Sequence, residues 1–267
     1  MPFRSAKQLF QLLDPLSVTI LRLCFATIII TIMFRSWRIL PSFKSLNWKD
    51  LLLYSLSLGL MNICFYYSLS KIPLGVAVGL EFAGPLTLAL LSVKQRRDYI
   101  WVVLAIIGIV GLVPWQEIEE FSFIGAFLAL SAGFFWACFI HLGQKVVRQN
   151  IGMHALSIGI GVSALCFLPI GLWQDAPALF EFSYWKMAFV IAVLATAIPY
   201  SLDLYALKFL NKMTYGIVTS LSPAIATLTG LVVLGENLSL GQHLAMCSIA
   251  CASIGVVVFS HKDEKSV

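Results

Sequence analysis

The chain has 267 residues, 60% of them hydrophobic and 12% charged, with a formal net charge of +5. A water-soluble domain is nearer half apolar and a quarter charged. This chain has too little polar surface to coat a body of its size in water, so its apolar faces must meet lipid. The basic residues form short scattered clusters, with no stripe and no basic helix, which sets nucleic-acid binding aside.

Apolar runs of about twenty residues, the length that crosses a bilayer, succeed one another along the chain. They cover roughly residues 16–34, 49–70, 73–93, 98–115, 121–142, 152–173, 184–205, 212–234 and 241–260. The runs are continuous and do not alternate, so they predict helices and not barrel strands. The connections are short, and none could fold as a separate domain. The leading stretch "MPFRSAKQLFQLLDP" is too polar for a cleavable signal. Cys24, Cys64, Cys138, Cys166, Cys247 and Cys251 all fall inside the runs without CxxC spacing, and read as small buried hydrophobes. The fold class is an all-α polytopic membrane protein.

Lys and Arg gather in alternate loops: Arg35, Arg38, Lys44 and Lys49; Lys94, Arg96 and Arg97; Lys145 and Arg148; Lys208 and Lys212; Lys262 and Lys265. The intervening loops hold Lys71 and Lys186 together with Glu117, Glu119, Glu120, Asp175, Glu181 and Glu236. By the positive-inside rule the first set is cytoplasmic, and so is the C-terminus.

The chain repeats itself. At an offset of 138, the difference between Tyr67 and Tyr205, Leu69 falls on Leu207 and Pro85 on Pro223. After an insertion of nine residues, "AIIGIVG" (Ala105–Gly111) matches "ASIGVVV" (Ala252–Val258). The tail of the span at 121–142, "GQKVV", overlays "SAKQL" near the N-terminus. The expectation is two five-helix repeats, residues 1–115 and 121–260, the first lacking most of its first helix. Repeats with an odd number of helices are inverted in the membrane, as in secondary transporters, which bind substrate near the midplane at the repeat interface.

Glu81 stands about 12 Å inside its helix from the outer boundary. A charge facing lipid there costs at least about 2.5 kcal/mol, so it is expected to face the bundle interior. A buried carboxyl that exchanges a proton suits a proton-coupled carrier. Pro85 cannot donate to the carbonyl four residues back, which is that of Glu81; Pro223 does the same to Thr219. These are the expected helix breaks. Gly84 leaves room for another backbone or a ligand, and Gly75, Gly79 and Ala83 form a small-residue packing ridge on another face. Arg22 is the cation inside a span. It either snorkels to the outer headgroups, pairs inward with Glu81, or holds a substrate carboxylate. Asn62 with Tyr66 could orient an amino or hydroxyl group across a cavity, or could glue helices. Tyr200 and Asp203 are expected near the cytoplasmic end of their helix, as anchors or a gate. No Walker loop, nucleophile elbow or HExxH is present, and no acid and nucleophile are paired at one depth, so neither an enzyme nor a cofactor or metal is expected.

The stretches "TILRL", "IPLGVAVGLEFAGPL", "AIPYSLDLYAL" and "SLSPAIATLTGLVVLGENLS" resemble the drug/metabolite transporter superfamily, the EamA-type ten-helix carriers, and within it the inner-membrane threonine/homoserine exporters. The resemblance runs from about Ala6 to Val258. It implies a basket of helices around a central cavity, with the fifth and tenth peripheral, and export coupled to protons. Arg22, Asn62, Tyr66, Glu81, Tyr200, Asp203 and Pro223 fall on matching positions, whereas Ser222 stands where close members carry Glu. The resulting expectation is a bacterial inner-membrane carrier that exports small amino acids by alternating access and proton exchange, with Ser222 also lining the cavity. The alternatives are a broad metabolite or drug carrier, an importer, or a truncated protein that does not transport. The expected partners are a small-molecule substrate, protons and the lipid bilayer, with a homodimer left open.

Overall fold

The computed structural model describes residues 15–38, 47–91, 99–112, 121–146, 154–202, 222–235 and 238–264, and among them there is no strand. The helices are α1 (Pro15–Phe34), α2 (Trp48–Leu69), α3 (Leu74–Glu81), α4 (Ala83–Leu91), α5 (Tyr99–Gly111), α6 (Phe123–Val146), α7 (His154–Phe180), α8 (Phe182–Ala192), α9 (Ser222–Thr229) and α10 (Leu240–Glu264). Two π-helical turns extend them: Val193–Ala197 after α8 and Gly230–Leu234 after α9.

Local chemistry sets several ends. Asn47 caps α2, its side-chain oxygen accepting from the backbone N–H groups of Lys49 at 3.2 Å and Asp50 at 3.4 Å. Gly235, at φ 68°, closes the second π turn in the left-handed region that glycine enters without strain. Helix α3 ends at Glu81 and α4 begins at Ala83, with Phe82 between them in the αR region, its N–H donating to the Val78 carbonyl at 2.9 Å and its carbonyl accepting from the Leu86 N–H at 3.2 Å. Helix α7 continues past the expected end at 173 to Phe180, carrying Pro169 and Pro177 inside it. Ala176, Ala178 and Leu179 in the added segment favour helix.

Five described helices are long and apolar enough to cross a bilayer: Pro15–Phe34, Trp48–Leu69, Phe123–Gly143, His154–Gln174 and Phe182–Leu202. Leu74–Leu88, Tyr99–Gly111 and Leu240–Gly255 are shorter apolar segments. Large apolar side chains such as Trp173 (90% exposed) and Phe127 (71% exposed) point outward, as lipid requires. The cysteines are all unpaired. Cys166, Cys247 and Cys251 are exposed, so for these three the expectation of burial is corrected: an outward thiol on an apolar helix meets lipid and not water.

The chain forms two compact units. The first comprises residues 1–70 and 138–205, the second residues 71–137 and 206–267. Each therefore draws helices from both halves of the sequence repeat.

In the first unit, the offset of 138 relates α1 to α7 and α2 to α8. Counterparts α1 and α7 pack antiparallel: Ile20 lies against Gly171, Thr27 against Gly161, and Ser36 bonds to Ser157 at 2.6 Å. Counterpart helices that run oppositely are what inversion of the repeat produces. Ala26 and Ala164, counterparts at the same offset, lie in one buried cluster with Leu23, Ile30, Leu58 and Ile160.

In the second unit α5 and α10 are counterparts, and they too are antiparallel. Trp101 lies against Gly255, Ser248 Oγ donates to the Leu104 carbonyl at 2.7 Å, and Gly108 meets Ile249. Gln242 Nε2 closes the end of α5 by donating to the Leu112 carbonyl at 3.1 Å. Gly79 meets Leu112 and Met246, which is the packing role expected of the small-residue ridge.

Candidate functional site

Arg22 lies on α1 and is only 2% exposed. It does not snorkel. A guanidinium taken out of water costs several kcal/mol unless its donors find acceptors. Nη1 donates to Thr196 Oγ1 at 2.8 Å. Nη2 donates to Asn62 Oδ1. The ring of Tyr66 lies face-on, 4.5 Å from Cζ, in cation–π geometry. These partners come from α2 and from the π turn after α8, and all are neutral. Nε is buried and has no partner among the described residues.

Asn62 is held in turn. Its amide nitrogen donates to the Leu58 carbonyl one turn back at 2.7 Å, and reaches the Tyr200 hydroxyl at 3.4 Å. The amide oxygen is thereby pointed at Arg22. Tyr200 stacks on Phe139, which stacks on Tyr54 with centroids 4.9 Å apart. Tyr54 is fitted against Gly143 and Gly159. Tyr200 stands two residues before the end of the apolar span Phe182–Leu202, and its hydroxyl meets the amide of Asn62.

Thr196 is buried within the π turn Val193–Ala197, in which the Ile198 N–H reaches back five residues to the Val193 carbonyl. Pro199 comes directly after and has no N–H to give to the carbonyl four residues back. Single π turns of this kind occur preferentially at functional sites. Among the described residues, the buried side-chain atoms lacking a partner are Arg22 Nε, Ser68 Oγ, Ser163 Oγ and Ser201 Oγ, all in the first unit. An enclosed cation with neutral partners and an unused donor is half of an ion pair. What it can accept is an anion.

In the second unit, Glu81 is the last residue of α3 and is half-buried. Its backbone carbonyl, deprived of a donor by Pro85, packs against the backbone of Gly133 on α6. Gly84 and Gly133 face each other so closely that a Cβ on either would strike the other helix's backbone. The group admitted by Gly84 is therefore a second helix. Phe82 packs edge-on against Trp136, 6.0 Å between centroids. Ser222 is half-buried, and it and Pro223 are the first described residues of α9; Thr219, whose carbonyl Pro223 is expected to free, lies outside the described residues. Asp203 lies outside the described residues.

The sequence pattern of the EamA-like transporter family matches residues 3–113 and again 123–260. The chain belongs to the EamA-like transporter family. It is 43% identical over 261 residues to the threonine/homoserine exporter RhtA of Salmonella typhimurium (strain LT2), covering 97% of this chain and 88% of the relative. It is 41% identical over the same length to the RhtA of Escherichia coli (strain K12), again covering 97% of this chain and 88% of the relative. An uncharacterized transporter of Archaeoglobus fulgidus is 24% identical over 238 residues, 86% of this chain and 82% of the relative. One solved crystal structure superimposes on 97% of this chain and 95% of its own with a TM-score of 0.66 at 14% identity, which is a likeness of fold.

For this EamA-family chain, the structure gathers Arg22, Asn62, Tyr66 and Tyr200 into one cluster, while Glu81, Pro85, Ser222 and Pro223 belong to the other unit. Sequence reasoning missed Thr196. The signal was Pro199, which sits inside an apolar run three residues beyond it.

Proposed function

We propose that the chain is a secondary active exporter of small amino acids, threonine- or homoserine-like, in the bacterial inner membrane. Arg22 binds the substrate carboxylate. The observation that carries this reading is the buried guanidinium of Arg22, held by neutral partners with Nε unused; the names of the 41–43% identical relatives supply the amino-acid class. A carboxylate supplies the missing charge and accepts from Nε. Glu81 takes and releases the coupling proton. Asn62 and Tyr200 are counterparts in the repeat. Touching counterparts mark the pseudo-two-fold axis, and in an inverted repeat that axis runs in the membrane plane, where carriers of this type bind.

The test is efflux of labelled L-threonine and L-homoserine from cells, and from proteoliposomes with an imposed pH gradient. Efflux above the empty-vector rate, lost in Arg22→Gln and suppressed when the gradient is collapsed, supports the reading. Failure of every labelled amino acid in a panel to leave faster than from vector cells would sink it.

A further inference from the structure

Under the offset of 138, Arg22 overlays Ile160, Leu58 overlays Thr196, Met61 overlays Pro199 and Asn62 overlays Tyr200. The scaffold is symmetric here, but the chemistry is not. On the α2 side the counterpart stretch is unbroken α-helix. On the α8 side Pro199 removes an N–H, and the backbone widens into the π turn Val193–Ala197. A π turn accommodates one more residue than an α turn. It therefore rotates the helix on its N-terminal side relative to the helix on its C-terminal side, by about the 100° that one residue occupies on an α-helix. Thr196, inside the turn, bonds to Arg22; Tyr200, just after it, bonds to Asn62. Thr196 and Tyr200, four residues apart, share one face of the helix, and the widened turn rotates that face relative to Ala188 and Ile191, the α8 residues buried in one cluster with Leu16, Val18 and Ile20 of α1.

We infer that Thr196, placed by the π turn at Pro199, is the positioning residue of the carboxylate site. It fixes Nη1 of Arg22, Asn62 fixes Nη2, and the guanidinium is thereby turned so that Nε is presented to the ligand. Three features support this: Thr196 is fully buried, its hydroxyl lies 2.8 Å from Nη1, and Nε has no described partner. Pro199 is then a specificity determinant acting through the backbone. This inference rests on the reading of Arg22 as the carboxylate-binding group.

The experiment has two arms and uses the full chain. In nanodiscs, nitrogen-15 arginine NMR tracks the Nε–H signal of Arg22, assigned by its loss in Arg22→Lys. Thr196→Val and Pro199→Ala should both move this signal and speed its solvent exchange, while Thr196→Ser keeps it as in the parent. A parental Arg22 signal in Pro199→Ala would overturn the inference whatever the protein carries. In proteoliposomes, a bond to a charged group is worth enough that Thr196→Val and Pro199→Ala should each raise the KM for L-threonine about tenfold with Vmax within about twofold. Thr196→Ser should restore it, and the double variant should be no worse than either single one. A fall in Vmax at unchanged KM, or Thr196→Ser as impaired as Thr196→Val, would also overturn it. A parent protein that moves no threonine would refute the functional reading and leave the NMR arm to decide the positioning role.

Discussion

The amide of Asn62 reaches the hydroxyl of Tyr200 at 3.4 Å, and the two residues are 138 positions apart, the offset of the internal repeat. Each half thus contributes one polar side chain to a shared point. The next residue out, Arg22, makes its hydrogen bonds to both halves, Asn62 on one side and Thr196 on the other.

Replacing Arg22 separates function from stability. Arg22→Met removes a buried charge that no anion offsets among the described residues, and with it a desolvation penalty of several kcal/mol, against about 1–3 kcal/mol for leaving the Asn62 and Thr196 oxygens without their donor. The expected outcome is an unchanged or higher midpoint of thermal unfolding in detergent, with carboxylate transport abolished. Arg22→Lys keeps the charge but not the planar fork, and should retain a residual rate with a raised KM. A destabilised Arg22→Met protein that still exports at the parent rate would refute both halves.

The face of Tyr66 lies on the guanidinium 4.5 Å from Cζ. Tyr66→Phe keeps the ring and should leave the KM for threonine within about threefold, whereas Tyr66→Leu should weaken binding by about 0.5–2 kcal/mol, the range of a cation–π contact. Paired KM measurements on the two variants decide this. Equal impairment would assign the role to the hydroxyl instead of the ring.

Gly133→Ala and Gly84→Ala should each destabilise the second unit, because the added methyl meets the facing backbone and cannot be relieved by a rotamer change. Overpacking of this kind costs about 1–3 kcal/mol. Gly241, exposed in the first turn of α10 with nothing nearer than 3.8 Å to an added Cβ, is the control; Gly241→Ala should be neutral or slightly stabilising. Denaturant unfolding in mixed micelles measures the difference.

Glu81→Gln should insert and fold, since its neighbours on α3 are packed and the amide is isosteric. Export driven by an imposed pH gradient should fall at least about tenfold, the loss expected when a proton-transferring group is removed. Substrate exchange at equal pH on both sides should persist. Full gradient-driven export by this variant, with a parent-like pH profile, would remove Glu81 from the coupling step.

Much of the fold was legible because bilayer thickness and the cost of a buried charge act on the sequence directly. The long apolar runs, the repeat and the anomaly of Arg22 and Glu81 inside such runs all stem from that. The pairing of Pro85 with Glu81 showed from the sequence alone that the Glu81 carbonyl would lack its usual helical donor. It did not show that this carbonyl would pack against Gly133, because Gly133 lies on a different helix.

The sequence by itself determined that this is a helical membrane protein built from a repeat, with a cation and a carboxylate embedded in apolar helices. The tertiary structure decided what those groups touch. Thr196 and Arg22 are 174 residues apart, and their meeting depends on how each helix is rotated about its axis. A helix that is apolar all round carries almost no amphipathic stripe from which that rotation could be read. In lipid it is set instead by small residues, hydrogen bonds and close packing between helices, and these exist only once the chain is folded.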